Sequence, residues 1–478
     1  MTIPIKPTVL IIGCGPAGLG AIEQFLRKGF YVVAYEARDA IGGLWSVEGN
    51  YDPNPPPCTV SFDKQGHAVA LTKLERQGKP APSPTPMYAG VTANTPRDIM
   101  PYRSHPYPEG TVVGNPTYKT IYQYQQRFAD KYTDYIRLNR VVTRVRHVPD
   151  GHPAVKRWVV EWTPSYTSNS PDIGKAFEEQ FDHVVVANGT DSRPFMPYID
   201  GLWNWKGEIL HSRWYRTPEA FAGKTVMIVG GGPSSADLVR EIGMLKVNKS
   251  PSQPKKIYRS FRSKLRYDTE LEAGWPEHIN NVSPMKILEG PSEHSKTGRI
   301  TTVLEQVIDD VDVIIFATGF VARFEFFKDT DAPFNGAPLV RYPQVSEAAA
   351  KPPLELVGEA TLEGGHRVHN LDSHQLFYLP DPTLPFLLLH AEAIPWPFSE
   401  MQARVVASYW TGTPLELIPH SNEDNDSHSV LVLGHPGEFE YAEGLLKLIG
   451  EGGPEEVDSQ GRWGAWPEWK RHIRALID

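Results

Sequence analysis

Short apolar runs that end abruptly in glycine set the frame of this chain. Val9-Leu-Ile-Ile runs into Gly13-Cys-Gly15-Pro-Ala-Gly18, and Val226-Met-Ile-Val runs into Gly230-Gly-Gly232-Pro-Ser-Ser235. Each reads as a buried strand feeding a tight turn, with helices predicted behind the turns over 17–28 and 234–245. Second strands follow at 30–35, ending at Glu36, and at 255–259. Further along, 118–131 reads as a helix, and 137–148 and 157–162 read as strands. The segment 182–189 is a buried strand closing on the small-residue turn Ala187-Asn-Gly189, mirrored by 311–320 and its turn Ala317-Thr-Gly319. Prolines at 53, 55, 56 and 57, and again at 80, 82, 84 and 86, predict an irregular surface excursion over 50–86, because proline breaks helices and central strands. The last residues, 469–478, read as a short polar helix.

A strand, glycine turn and helix in this order aim unpaired backbone N–H groups at a pyrophosphate, assisted by the helix dipole. Two such units imply two dinucleotides in one protein, the arrangement needed to pass a hydride between cofactors. The expected fold class is α/β with two dinucleotide-binding, Rossmann-like domains. Residues 216–311 form the second domain, inserted in a discontinuous first domain made of 1–215 and 312–478.

Composition narrows the class. The chain has 478 residues, enough for two or three cores, and 48 basic against 57 acidic residues give a net charge of −9. That balance argues against nucleic-acid binding. Only Cys14 and Cys58 occur, which excludes a disulfide framework and a dithiol reductase, and Cys14 reads as a small buried residue of the first loop. No apolar span of roughly 18 residues is present, so no membrane crossing is expected and the location is read as cytoplasmic. No metal is expected, and a homodimer is compatible with the sequence.

The ends of the two second strands separate the nucleotides. Glu36 stands where an acid binds adenosine ribose hydroxyls. The second unit carries Lys255-Lys-Ile-Tyr-Arg259-Ser260-Phe-Arg262 instead, and guanidinium groups bind a 2′-phosphate that an acid would repel. The second nucleotide is therefore read as NADP, held by Gly230, Gly232, Ser234, Ser235, Arg259, Ser260 and Arg262. Ser235 replaces the usual third glycine, which predicts slightly looser helix packing there.

These residues resemble the flavin-containing monooxygenases that oxygenate nitrogen and sulfur. Gly13, Gly15, Gly18 and Glu36, followed by Gly42-Gly43-Leu44-Trp45, look like that family's FAD site. Tyr88-Ala-Gly-Val-Thr-Ala-Asn94-Thr resembles its asparagine segment. Trp205-Lys-Gly207-Glu-Ile-Leu-His211-Ser-Arg-Trp-Tyr215 resembles its fingerprint, with Trp205 in place of the leading Phe. Phe316-Ala-Thr-Gly-Phe320 is similar to its second small-residue turn, and Pro397-Phe-Ser399-Glu-Met-Gln402 to the helix that abuts the flavin.

The resemblance implies FAD and NADPH as cofactors, with NADPH reducing FAD and oxygen then adding to the reduced ring as a C4a-hydroperoxide. Oxygen would pass to a small organic substrate. It assigns Asn94 to hydrogen-bond that peroxide and Gln402 to the cofactor site, and it makes His211 structural and Arg213 either an interdomain contact or an exposed residue. Ser399 reads as an N-cap whose helix points at the flavin. Two other readings stay open: a Baeyer–Villiger oxygenase, whose fingerprint ends in Trp or Pro rather than Tyr215, and a non-catalytic FAD-binding interaction protein.

Overall fold

The computed structural model describes residues 6–46, 58–110, 114–148, 157–191, 193–262, 274–420 and 432–477. The first apolar run is strand β1 (Thr8–Ile12). Gly15 is the N-cap and Pro16 the first residue of α1 (Pro16–Arg27), where a missing N–H costs nothing, and β2 (Tyr31–Tyr35) returns parallel to β1. Strands β3 (Thr59–Phe62) and β4 (Ala68–Leu71) form an antiparallel hairpin. After them comes α2 (Lys73–Arg76), which Thr72 and Glu75 close in a reciprocal capping box.

The hairpin corrects the expectation of an irregular surface excursion over 50–86. Prolines gather at the two ends, 53–57 and 80–86, and leave 58–79 free of them. All of β4 is buried. Residues 50–57 lie outside the described residues.

Helix α3 (Tyr118–Ala129) starts at Thr117, whose hydroxyl accepts the Thr120 N–H. Strand β5 (Ile136–Arg137) edges the first sheet, while β6 (Arg140–His147), β7 (Trp158–Pro164) and β8 (Phe177–Phe181) form an antiparallel sheet of their own. With β9 (His183–Val186), the first sheet runs β5–β2–β1–β9, all parallel. The segment around Phe386 extends it past β9: Val186 N donates to Pro385 O at 2.9 Å and Leu387 N to Val186 O at 2.9 Å.

Strand β10 (Arg193–Pro194) leads to the second sheet, built from β11 (Glu208–His211), β12 (Thr225–Val229), α4 (Pro233–Val247), β13 (Lys256–Ser260) and β14 (Ile279–Val282). A small antiparallel sheet, β15 (Met285–Glu289), β16 (Arg299–Thr302) and β17 (Val307–Ile308), precedes β18 (Val313–Phe316) and β19 (Phe320–Val321). The second sheet is parallel in the order β11–β18–β12–β13–β14. It therefore takes in strands on both sides of the 216–311 segment. Strands β10 and β19 pair antiparallel, so the two chain crossings between the sheets run side by side.

Helices α5 (Pro395–Trp410), α6 (Gly434–Leu448) and α7 (Glu468–Ala475) complete the first core, with α5 packed on α1. The N-cap of α5 is Ile394, and Ser399 lies inside the helix with its Oγ donating to Pro395 O at 2.5 Å. This corrects the N-cap reading of Ser399: prolines 395 and 397 both fit a first turn, so the helix begins before the serine. Between α5 and α1, Glu400 is buried; it accepts from Gln24 Nε2 at 3.2 Å and from Arg103 N at 2.9 Å. Burial pushes its carboxyl up to about 8.

Candidate functional site

At the first loop, Gly13 has φ +103°, and a Cβ there would lie 2.5 Å from Ala187 O. A Cβ at Gly18 would lie 1.8 Å from Gly13 O, so α1 rests directly on the turn. Gly15 is half-buried at the helix N-terminus. Glu36, buried at the end of β2, accepts from Cys14 N at 2.8 Å and Arg38 N at 3.0 Å, which locks the acid to the loop. Cys14 is buried, and burial raises its thiol pKa well above the ordinary range.

The Gly42–Trp45 turn sits on this loop. Gly42 N donates to Cys14 O at 2.9 Å, Leu44 O accepts from Thr85 Oγ1 at 2.7 Å, and Trp45 lies 5.9 Å from the Trp396 ring of α5. Gly43, Leu44 and Trp45 are only half-buried. A helix N-terminus, a close-packed glycine turn and a fixed carboxylate one strand away suit the pyrophosphate and ribose of a dinucleotide.

The second loop repeats the turn with different fastenings. Gly230 has φ +141°, and a Cβ would lie 2.2 Å from Ala317 O, as Gly13 meets Ala187. Around Gly232 the space is open, and Ser234 is exposed. Ser235, in the third glycine's place, is buried; its Oγ donates to Gly230 O at 2.7 Å and accepts from Arg259 Nε at 3.0 Å. Arg259 is thus buried against the start of α4. Ser260 is also buried, with its Oγ donating to Ser283 O at 3.2 Å and its carbonyl accepting the Gly230 N–H at 2.9 Å. Of the three expected phosphate contacts on this strand, Arg262 is the exposed one. The basic run beyond Arg262 lies outside the described residues.

The segment 205–216 fastens the two units together. Strand β11 ends at His211, which is fully buried; its Nε2 donates to Gly319 O at 2.9 Å and its Nδ1 accepts from Arg213 N at 3.2 Å. Burial lowers its pKa to about 3, so the ring is neutral and structural. Arg213 is buried too: its Nε donates to Pro84 O at 3.0 Å, and burial brings its pKa down to about 10. Arg216 donates to Thr85 O at 3.0 Å and to Tyr215 O at 2.7 Å. The two arginines therefore clamp the second proline cluster.

The Asn94 segment crosses between the cores. Tyr88 is buried in the core of the second unit and Val91 packs against it, while Ala93, Ile99 and Met100 are buried in the core of the first. Asn94, next to Ala93, is exposed, and its Oδ1 accepts from Thr95 Oγ1 at 3.2 Å. Tyr88 donates to Asp237 and Tyr215 to Glu241 (2.5 Å), both acids on α4, and the two tyrosine rings meet edge to face at 5.4 Å. Ala89 N donates to Arg216 O at 3.1 Å. Asn94 is thereby tied to the helix that follows the second loop. Sequence reading missed this tyrosine latch, although Asp237 and Glu241, four apart on one helix, share a face.

Gln402 is fully buried. Its Oε1 accepts from Leu388 N at 2.8 Å and its Nε2 donates to Tyr441 OH at 3.0 Å, so its amide braces the 388–390 segment. Among the described residues, no helix is long and apolar enough to cross a membrane.

Two parallel sheets, each opening on a glycine turn and joined by paired crossings, define a fold with two dinucleotide-binding units. A family model described as flavin-binding monooxygenase-like matches residues 59–250. Senecionine N-oxygenase of Tyria jacobaeae is 27% identical, the match covering 67% of this chain and 59% of that protein. Flavin-containing monooxygenase FMO GS-OX5 of Arabidopsis thaliana is 29% identical over 67% of this chain and 61% of its own length. The chain thus spans about three fifths of the length of these two relatives. The structure of S-allyl-L-cysteine S-oxygenase from Allium sativum shares the fold, with a TM-score of 0.69, 21% identity, and coverage of 99% of this chain and 92% of that one. Over residues 59–250 the chain is thus similar to the flavin-binding monooxygenase-like family.

Proposed function

We propose that this chain is an NADPH- and O2-dependent monooxygenase that holds FAD on the first loop and NADPH on the second, and oxygenates nitrogen or sulfur of a small soft nucleophile. The observation that carries the reading is the course of residues 88–100, which passes from the second core to the first with Asn94 exposed at the crossing. FAD, when bound, takes the hydride and activates oxygen.

The chain's own residues bind, orient and shield. Gly13, Gly15, Gly18, Glu36 and the Gly42–Trp45 turn hold FAD. Gly230, Gly232, Ser234 and Ser235 receive the NADPH pyrophosphate, and Arg262 its 2′-phosphate, with Arg259 and Ser260 shaping the loop from inside. The NADP unit extends slightly beyond 216–311 to include β11 and β18, and 1–215 with 312–478 supplies the FAD unit. Asn94 offers a neutral amide, which donates and accepts without delivering a proton that would divert reduced oxygen to hydrogen peroxide.

Oxygenation of nitrogen or sulfur is supported by the names of the relatives, an N-oxygenase and, among solved structures of the same fold, an S-oxygenase. Tyr215 at the end of the fingerprint agrees with this reading. The test is Asn94→Ala assayed with a tertiary amine, a thioether and a cyclic ketone. NADPH oxidation should stay within about twofold of the parent, while product yield falls roughly tenfold or more and hydrogen peroxide replaces it. Full product yield would reduce Asn94 to a turn residue, and lactone as the sole product of the parent enzyme would overturn the nitrogen or sulfur reading.

A further inference from the structure

Residues 88–102 run as one strut from the helix behind the second loop to the helix behind the first. At its start, Tyr88 donates its hydroxyl hydrogen to Asp237, and Gly90 passes so close to Glu241 that a Cβ would lie 2.0 Å from Oε1. At its end, the Tyr102 hydroxyl donates at 2.5 Å to the carbonyl of Pro16, the first residue of α1. Between these anchors, Ala93 N donates to Pro116 O at 2.9 Å and Arg97 N to Gly114 O at 3.0 Å, which seats 93–97 on the first unit. Thr92 alone separates Val91, packed on the second core, from Ala93, buried in the first. Asn94 follows directly on that crossing.

The acids that hold the start of the strut are themselves fixed. Asp237 also accepts from Arg240 Nη2 at 2.8 Å, and Glu241 accepts from the Tyr215 hydroxyl at 2.5 Å. Burial raises both phenol pKa values above their ordinary range, so Tyr88 and Tyr215 stay protonated and remain donors. A hydrogen bond to a carboxylate is stronger and better directed than one between neutral groups.

Both acids stand close behind the second loop. Asp237 and Glu241 follow Ser234 on α4 by about one and about two helical turns. The space around Gly232 is open, so a pyrophosphate meets the first turn of α4 directly. Any shift or stiffening of that turn reaches Tyr88 through one hydrogen bond to a side chain of the same helix. Packed and hydrogen-bonded chains of this kind carry coupling between sites.

We infer that Tyr88 and Asp237 are positioning residues: their hydrogen bond sets the place of Asn94 according to the state of α4, and so according to whether a nucleotide sits on the second loop. Neither residue touches the nucleotide pyrophosphate in this assignment; they act through the strut. The consequence for turnover rests on the role of Asn94 proposed above. Where Asn94 is out of place, O2 takes two electrons from reduced flavin and two protons, and leaves as hydrogen peroxide.

The experiment uses the flavin-loaded full chain and follows backbone hydrogen exchange at 91–95 with and without saturating NADP+. In the parent, NADP+ should slow exchange there about fivefold. Tyr88→Phe keeps the ring in the core and removes only the hydroxyl; it should bind NADP+ within about threefold of the parent, yet lose most of that slowing. Asp237→Asn, which still offers an acceptor, should keep the slowing. Asp237→Leu should repeat the Tyr88→Phe result, and decides the matter if the tyrosine variant is unstable. No slowing in the parent, or full slowing in Tyr88→Phe and Asp237→Leu despite lower melting temperatures, overturns the assignment. In turnover, Tyr88→Phe should release about threefold more hydrogen peroxide per NADPH while flavin reduction stays within about twofold of the parent. Lost slowing with an unchanged peroxide yield would defeat the role proposed for Asn94 and leave the positioning contact standing.

Discussion

The two glycine loops share a backbone and differ in what closes it. At the first, contact alone does the work: Gly18 leaves α1 resting on Gly13 O, with no room for a methyl group. At the second, Ser235 occupies the same place, and its hydroxyl joins Gly230 O to Arg259. The third glycine of this motif is therefore one solution to a packing problem, and a buried serine with two hydrogen bonds is another. The strand ends differ in a second way: Glu36 is buried and fixed to its loop, whereas Arg262 stands exposed beside the other.

The largest effect should come from closing the first loop. Gly18→Ala puts a methyl group against Gly13 O and should yield protein stripped of FAD and destabilised by about 3 kcal/mol or more, read from flavin absorbance and thermal melting. Ser235→Gly at the matching position removes two hydrogen bonds and should lose only about 1–2 kcal/mol, with flavin retained. Equal damage at both positions would erase the distinction between contact and hydrogen bonding.

Next in size is the choice of nucleotide. Arg262→Ala should raise the KM for NADPH roughly ten- to a hundredfold, in keeping with a charge-assisted contact of about 1–3 kcal/mol, and leave NADH almost unchanged. An equal rise with both nucleotides would remove the 2′-phosphate from its role.

How much of this was legible follows from the range of the interactions. Strand β1, helix α1, Glu36 and their counterparts in the second unit rest on local periodicity and turn chemistry, and they stand where the sequence places them. The β3–β4 hairpin is hard to see in the sequence because two proline clusters flank it closely enough to look like one run, although the residues between them are proline-free. Ser399 looks like an N-cap in the sequence, but two prolines fit one helical turn and the helix starts before it. The inward course of Arg259 depends on Ser235 across a strand–helix contact, and the Tyr88–Asp237 pair joins positions far apart in the chain. Neither leaves a periodic signal.

The smallest effect concerns pH and the helices behind the loops. Glu400, pressed between α5 and α1 behind the first loop, has its carboxyl raised to about 8 in the folded protein, against an ordinary value near 4.3 when unfolded. Its contribution is fully present below the unfolded value and is lost as pH rises through about 8. Glu400→Gln should therefore melt a few degrees above the parent at pH 9 and close to it at pH 5. Parallel melting curves across that range would place the carboxyl in an ordinary environment.

The central claim, FAD on the first loop and NADPH on the second, is tested most directly by Gly230→Ala, whose Cβ would lie 2.2 Å from Ala317 O. The variant should purify yellow with about one FAD per chain. Under anaerobic conditions dithionite should bleach it normally, while NADPH bleaches it slowly or not at all. A colourless variant, or a yellow one that NADPH bleaches at the parental rate, would contradict the assignment.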